Sequence, residues 1–143
     1  FDSPHLDVFE DRWVCIVSDD NRQVGEELSL RDMAQLPWIA AHHGPLIEPV
    51  LAPHLAKLGI RPRIDTVVDS FLAAPWLVAG TQAIGVVQQR LLARLPPSVG
   101  VRRVGTPFEI TPHRVALWWH PVHTDEPAHS WLRSQIADVA RVL

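Results

Sequence analysis

RIDTVVDSFLAAPWLVAGTQAIGVV, residues 63–87, changes its hydrophobic pattern twice. Arg63 to Val68 is rich in β-branched residues and reads as a strand. Ser70 is placed to cap an apolar helix and Gly80 to end it. Ala83 to Val87 reads as a second short strand, with Gly85 at a turn. A strand, a helix and a strand in so short a span is the unit from which layered α/β sheets are built.

The flanks repeat that alternation. Upstream, Arg12 to Ser18 (RWVCIVS) reads as a buried strand and Asp19 to Glu27 as a polar turn region. Ser29 caps a helix from Leu30 to Leu36, with Asp32 three positions on as in a capping box, and Pro37 ends it. Trp38 to Ala41 is another strand, leading into His42-His43-Gly44-Pro45. A helix then ends near Leu58, with Gly59 just beyond it and Ile47, Val50, Leu51, Leu55 and Leu58 on one face. Pro53 predicts a kink or a late start there, because an interior proline costs about 3 kcal/mol.

Downstream, Gln89 to Leu95 makes a helical turn or two, and Pro96-Pro97 breaks it. Val99 to Val104 and Arg114 to His120 are strands by composition. Pro127 opens a helix that runs to the end, with Ala128, Trp131, Leu132, Ile136, Val139 and Leu143 as its apolar stripe. The order predicts an α/β fold with a largely parallel sheet.

Composition narrows the function. The chain has 143 residues, 47% hydrophobic and 20% charged, which suits one globular domain. Its longest strongly apolar run, Phe71 to Val78, carries Pro75, far short of the ~20 residues of a membrane span. A net charge of −3, with 13 basic residues spread thinly, excludes the basic stripe of a DNA-binding domain. Cys15 is the only cysteine, so no internal disulfide forms and a reducing cytoplasm is compatible. Phe1 to Asp11 carries four acids and is not a signal peptide. With no initiator methionine, the chain reads as a fragment.

FEDRWVCIVSDDN (9–21), LSLRDMAQLPWI (28–39), SFLAAPWLVAGTQAIG (70–85) and LWWHPVHTDEPAHSWLR (117–133) follow one another in a familiar order. Together they resemble the effector-binding domain of LysR-type transcriptional regulators, near the nodulation and the nitroaromatic or salicylate sensors. The last stretch carries a closing signature of the form W-H-P…D-P-A-H-x-W-L-R, here with Glu126 between Asp125 and Pro127. The resemblance implies a periplasmic-binding-protein-like domain of two α/β lobes with a small molecule in the cleft between them. It places the second lobe at about residues 19–109, with crossovers and the remainder of the first lobe in 1–18 and 110–143. Asp11 to Ser18 would be the first crossover and Arg114 to His120 the return. The rest of the first lobe and the N-terminal winged helix-turn-helix would be missing. DNA would then be reached only through that missing domain, and a homo-oligomer is the expected assembly.

In open α/β sheets ligands sit beyond the carboxyl ends of strands. Two loops qualify, His42-His43-Gly44 and Asp69-Ser70-Phe71, and the resemblance puts both in the effector cleft. A helix starting at Ser70 would offer free N–H groups to a carboxylate, beside a hydroxyl and the apolar wall of Phe71. Ser70 could equally be a plain helix cap. Trp118 and Trp119 point to opposite sides of a strand, and Trp119 is the one assigned to the cleft.

His42-His43 lacks a third metal ligand. His120, His123 and His129 are the densest histidine group, but a strand end and a polar helix face do not predict convergence. Neither metal nor cofactor is expected. Cys15 reads as a small buried hydrophobe and His54 as a core or interface histidine.

The reading is therefore a cytoplasmic ligand-gated regulator domain that responds to a small organic acid, aromatic ones included. A solute-binding protein of transport is the alternative. A hydrolase using the histidines or Cys15 lacks a coherent nucleophile, base and orienting group, so no catalytic residue is assigned.

Overall fold

Val14, Cys15, Ile16, Val17 and Ser18 are all buried, because the strand that carries them has neighbours on both edges and both faces. That strand is β2 (Trp13–Ser18) of a computed structural model that describes residues 3–41 and 50–142. It lies between β5 (Ile84–Gln88) and β6 (Val101–Val104). With β3 (Pro37–Ala41) and β4 (Arg63–Val68) they form a five-stranded sheet in the order β4-β3-β5-β2-β6. The sheet belongs to the larger of two compact units, Arg12–Thr111.

The pleat sends alternate side chains to opposite faces, and β2 shows it plainly. Cys15 and Val17 join one core cluster, with Leu28, Met33, Trp38, Leu51 and Leu55. Val14 and Ile16 join the other, with Ile39, Ala74, Val78 and Val87. Helices α1 (Leu30–Gln35) and α2 (Ala52–Lys57) contribute Met33 and Leu55 to the first cluster. Helix α3 (Ala74–Val78) supplies Ala74 and Val78 to the second, and the short α4 (Gln89–Leu92) brings partly buried Leu91 and Leu92 to it.

The sheet is mixed, not largely parallel. β3 runs parallel to β4 and β5, but β2 is antiparallel to β5 and β6. An antiparallel return need not carry the chain back along the sheet, so α1, at six residues only about 9 Å long, suffices between β2 and β3. Strand–helix alternation counts connections and says nothing of the direction in which each one leaves.

Local chemistry follows expectation at α1. The Asp32 N–H donates to Ser29 Oγ (3.1 Å) and the Ser29 N–H donates to Asp32 Oδ2 (2.9 Å), completing the capping box. Trp38 Nε1 then donates to the Met33 carbonyl at 2.9 Å, satisfying the indole inside the core. α2 starts late, with Pro53 in its first turn where no backbone bond is lost. Leu51 and Leu55 are buried and Leu58 is exposed; Ile47 lies outside the described residues.

The expected turn at Gly85 is instead the middle of β5. A Cβ added there would sit 2.7 Å from Val78 Cγ2 and 3.1 Å from Ile16 Cγ1. Glycine at this position lets α3 close on the sheet.

The smaller unit comprises residues up to Asp11 and from Pro112 onward. In it β1 (His5–Asp11) pairs antiparallel with β7 (His113–Trp118), with a bulge between Asp7 and Phe9. The strand at His5 to Glu10 went unrecognised in the sequence because its exposed residues are charged or polar and its apolar residues only half-buried. Helix α5 (Pro127–Ala140) lies against β1, yet none of its residues is buried. Residues 12–18, which the resemblance placed in a crossover, fall in the larger unit.

Two measurements check this packing. Gly85→Ala should cost about 1–3 kcal/mol in urea unfolding, since both obstructing side chains are fully buried. Gly25→Ala, where an added Cβ meets nothing within 4 Å, is the neutral control. Burial pushes the Cys15 thiol up to about 12 from 9.0. Below pH 9.0 both folded and unfolded chains keep that proton. Above it the unfolded thiol ionises first, so stability falls as pH rises towards about 12. Wild type should lose up to about 1.4 kcal/mol more per pH unit than Cys15→Ala across that window, and native Cys15 should resist thiol reagents until the chain unfolds.

Candidate functional site

β3 and β4 run parallel and end side by side, with Ala41 paired to Val68. The chain therefore leaves both strands at one edge of the sheet, the place where open α/β sheets take ligands. His42, His43 and Gly44 follow Ala41 but lie outside the described residues. Asp69, Ser70 and Phe71 follow Val68.

Ser70 is exposed, and its hydroxyl oxygen accepts from the Leu72 N–H at 3.2 Å. The Ala73 N–H donates to the Ser70 carbonyl at 3.1 Å. A turn over 71–73 results, and α3 begins only at Ala74, with Ala73 at its cap position and no side-chain cap. Ser70 thus initiates a turn rather than the helix expected there. Its side chain captures the N–H two residues on, a local bond that competes with helix, and Pro75 then supplies the first-turn proline. Five residues of helix add little dipole, so the helix-terminus argument for a carboxylate falls away. The Ser70 hydroxyl proton remains a donor, because the bond from the Leu72 N–H uses the oxygen only as acceptor.

Phe71 is half-buried, with its ring 4.8 Å from that of Trp13 at 43°. That contact fixes one apolar wall beside the Ser70 hydroxyl. Asp69 is exposed, and its carboxylate suits hydroxyl donors on a ligand better than a second carboxylate.

Trp119 sits in the smaller unit, just past the end of β7. Its Nε1 donates to Thr124 Oγ1 at 3.2 Å, and the Arg133 guanidinium lies over its ring at 4.4 Å. Its donor and one face are already engaged. Trp118 is the more exposed of the pair, at 57%, and stacks on His5 with centroids 4.3 Å apart.

The histidines converge more than their sequence setting suggested. His123 and His129 stack at 4.4 Å with planes 9° apart, and His123 Nδ1 lies 2.9 Å from Glu126 Oε2. His120 stands aside, its ring 6.3 Å from that of His123 and its Nδ1 accepting from the Val122 N–H. The overlooked member is Glu126. Its spacing of three from each histidine was the available signal, because a tight turn running into a helix puts such positions on one side. His54 stacks at 5.6 Å on Phe108, in keeping with a packed histidine.

Comparison with known proteins adds identity to this geometry. Residues 4–141 match the model of the LysR substrate binding domain family. Nodulation protein D 2 of Rhizobium tropici is 28% identical over 141 residues, covering 98% of this chain and 45% of that protein. The HTH-type transcriptional regulator SyrM of Rhizobium meliloti is 28% identical over 134 residues, covering 93% of this chain and 41% of that protein. The chain thus spans less than half the length of these relatives. In fold it is similar to the effector binding domain of QuiR in complex with shikimate, at a TM-score of 0.74 and 17% identity, covering 98% of this chain and 66% of that one. With its family match running almost end to end, the chain belongs to the LysR substrate-binding domain family.

Proposed function

We propose that this chain is the effector-sensing part of a LysR-type transcriptional regulator and that its ligand is a small organic acid. The observation that carries the reading is the family match across residues 4–141, supported by a relative that is itself a transcriptional regulator. Arg12–Thr111 corresponds in this reading to the second lobe, and the edge marked by Ala41 and Val68 is its ligand-facing edge. Ser70 donates to the ligand, Phe71 packs against its apolar part, and Asp69 accepts from its hydroxyls. His42, His43, Gly44 and Trp119 are further candidate contacts. That QuiR is seen with shikimate, a hydroxylated carboxylate, supports this choice of chemistry.

The effector acts in this reading by differential affinity for two arrangements of the regulator, with no chemical step. DNA is held by a separate domain, since these residues carry a net charge of −3. Such a regulator works in the cytoplasm, as a homo-oligomer. A transport protein is the weaker reading, because the sequence relatives include a transcriptional regulator.

The exposed stripe of α5 supports self-association. Trp131 and Val139 are 64% and 60% exposed, and Val8, Phe9, Ile136, Val139 and Ala140 line an apolar groove of about 330 Å³. Burying such side chains contributes roughly 1.5–3 kcal/mol each. Sedimentation of this chain should show a concentration-dependent dimer that Val139→Asp shifts to monomer; a wild-type monomer at all concentrations would refute self-association.

Ser70→Ala tests the ligand site in the full-length regulator, with a panel of hydroxylated and aromatic carboxylates screened first by thermal shift. Loss of a hydrogen bond to a charged group costs roughly 1.5–3 kcal/mol, so half-maximal response should need about tenfold to a hundredfold more effector. An unaltered dose–response curve, with fold and DNA binding intact, removes Ser70 from the site.

A further inference from the structure

We propose that His123, Glu126 and His129 form a binding site for a divalent transition-metal ion of the zinc class, built across the turn that enters α5. Each offers one ligand atom, and these atoms all lie within 4.8 Å of one another. Two imidazoles and a carboxylate are a donor set that zinc takes readily. Ligand atoms about 2.0–2.2 Å from a tetrahedral ion stand roughly 3.3–3.5 Å apart. His123 Nδ1 and Glu126 Oε2 already stand closer than that, at 2.9 Å. The remaining separations lie within 4.8 Å, so binding has to turn the half-buried His129 ring out of its stack on His123 and bring its in-plane lone pair onto the ion.

The backbone beneath the ligands is held before any ion arrives. His123 ends a short 3-10 helix, Pro121–His123, that starts on a proline, and Glu126 is the cap residue before Pro127. Arg133 reaches back from α5 to the carbonyls of His123 (3.1 Å) and Thr124 (2.5 Å). The same guanidinium lies over the Trp119 ring, and Trp119 in turn donates to Thr124. These contacts fix the turn against the helix, the role that supporting residues play around metal ligands.

Three protein ligands leave the fourth position for water or for a group from another molecule. The proposal rests on the smaller unit alone and stands apart from the effector reading.

Calorimetric titration of the chain with zinc chloride in chelator-free buffer tests it. One equivalent should bind, and His123→Gln, Glu126→Gln and His129→Gln should each weaken it at least about tenfold. His120→Gln and the double variant His42→Gln with His43→Gln should leave that equivalent intact. On the wild-type chain, zinc should shift the ring resonances of His123 and His129 and leave those of His54 and His113 in place, which keeps the test decisive where a variant folds poorly. Absence of zinc binding, binding unaffected by the three ligand variants, or binding lost only with His42 and His43 would each overturn the site.

Discussion

Every residue of β2 from Val14 to Val17 is hydrogen-bonded sideways into the sheet and buried above or below it, and the larger unit is arranged around that constraint. A strand enclosed on all sides can hold only apolar or internally satisfied groups. Its one cysteine meets that requirement as a neutral thiol. Its last residue, Ser18, meets it by accepting from the Gly80 N–H at 2.8 Å while its hydroxyl donates to Asp20 at 2.6 Å. The Ser18–Gly80 bond ties the end of the central strand to the chain leaving α3, so the position of α3 follows from β2. Gly85 completes the arrangement by leaving room for Val78 between β5 and Ile16. The edge that carries Asp69, Ser70 and Phe71 is thus set by a core several residues away from it, and Phe71 meets that core's rim at Trp13.

Much of this was legible because the relevant signals are local. The capping box at Ser29 and Asp32, the first-turn prolines at Pro53 and Pro127, and the apolar run of β2 each act within a few residues, and the elements form where those signals sit. Strand direction was not legible, because a short helix between two strands serves either sense. The place of Gly85 inside a strand is not legible for a related reason, since the demand for glycine comes from Val78 and Ile16 and not from its own neighbours. β1 was missed because it buries too little to show an apolar alternation. Its pairing with β7 draws on backbone bonding and on exposed cross-strand contacts, among them the ion pair of Asp7 with Arg114 at 2.9 Å and the stack of His5 on Trp118.

The candidate ligand edge was legible in place and misread in detail. A serine between a strand and an apolar run is equally suited to start a helix or a turn, since both use its hydroxyl as an acceptor from a nearby N–H. Pro75 tips the balance, because its ring fits the first turn of a helix and not a later one. With Pro75 there, α3 starts at Ala74 and the three residues after Ser70 become a turn. The consequence is chemical. That edge presents one hydroxyl, one carboxylate and one half-buried aromatic ring, without the partial charge of a long helix.

The smaller unit shows the opposite balance between order and burial. No residue of α5 is buried, yet Arg133 alone engages two carbonyls and an indole face. Such a side chain gives up rotamer freedom worth as much as about 2 kcal/mol, and the three contacts together offset that loss. What they hold is the backbone from Trp119 to Thr124, a largely solvent-exposed turn with no buried residue of its own. Ordering a ligand set is among the main costs of binding, and a scaffold that is already ordered removes it from the binding step. The histidines and Glu126 stand on that scaffold, whereas Ser70 stands on a turn held by a few local bonds.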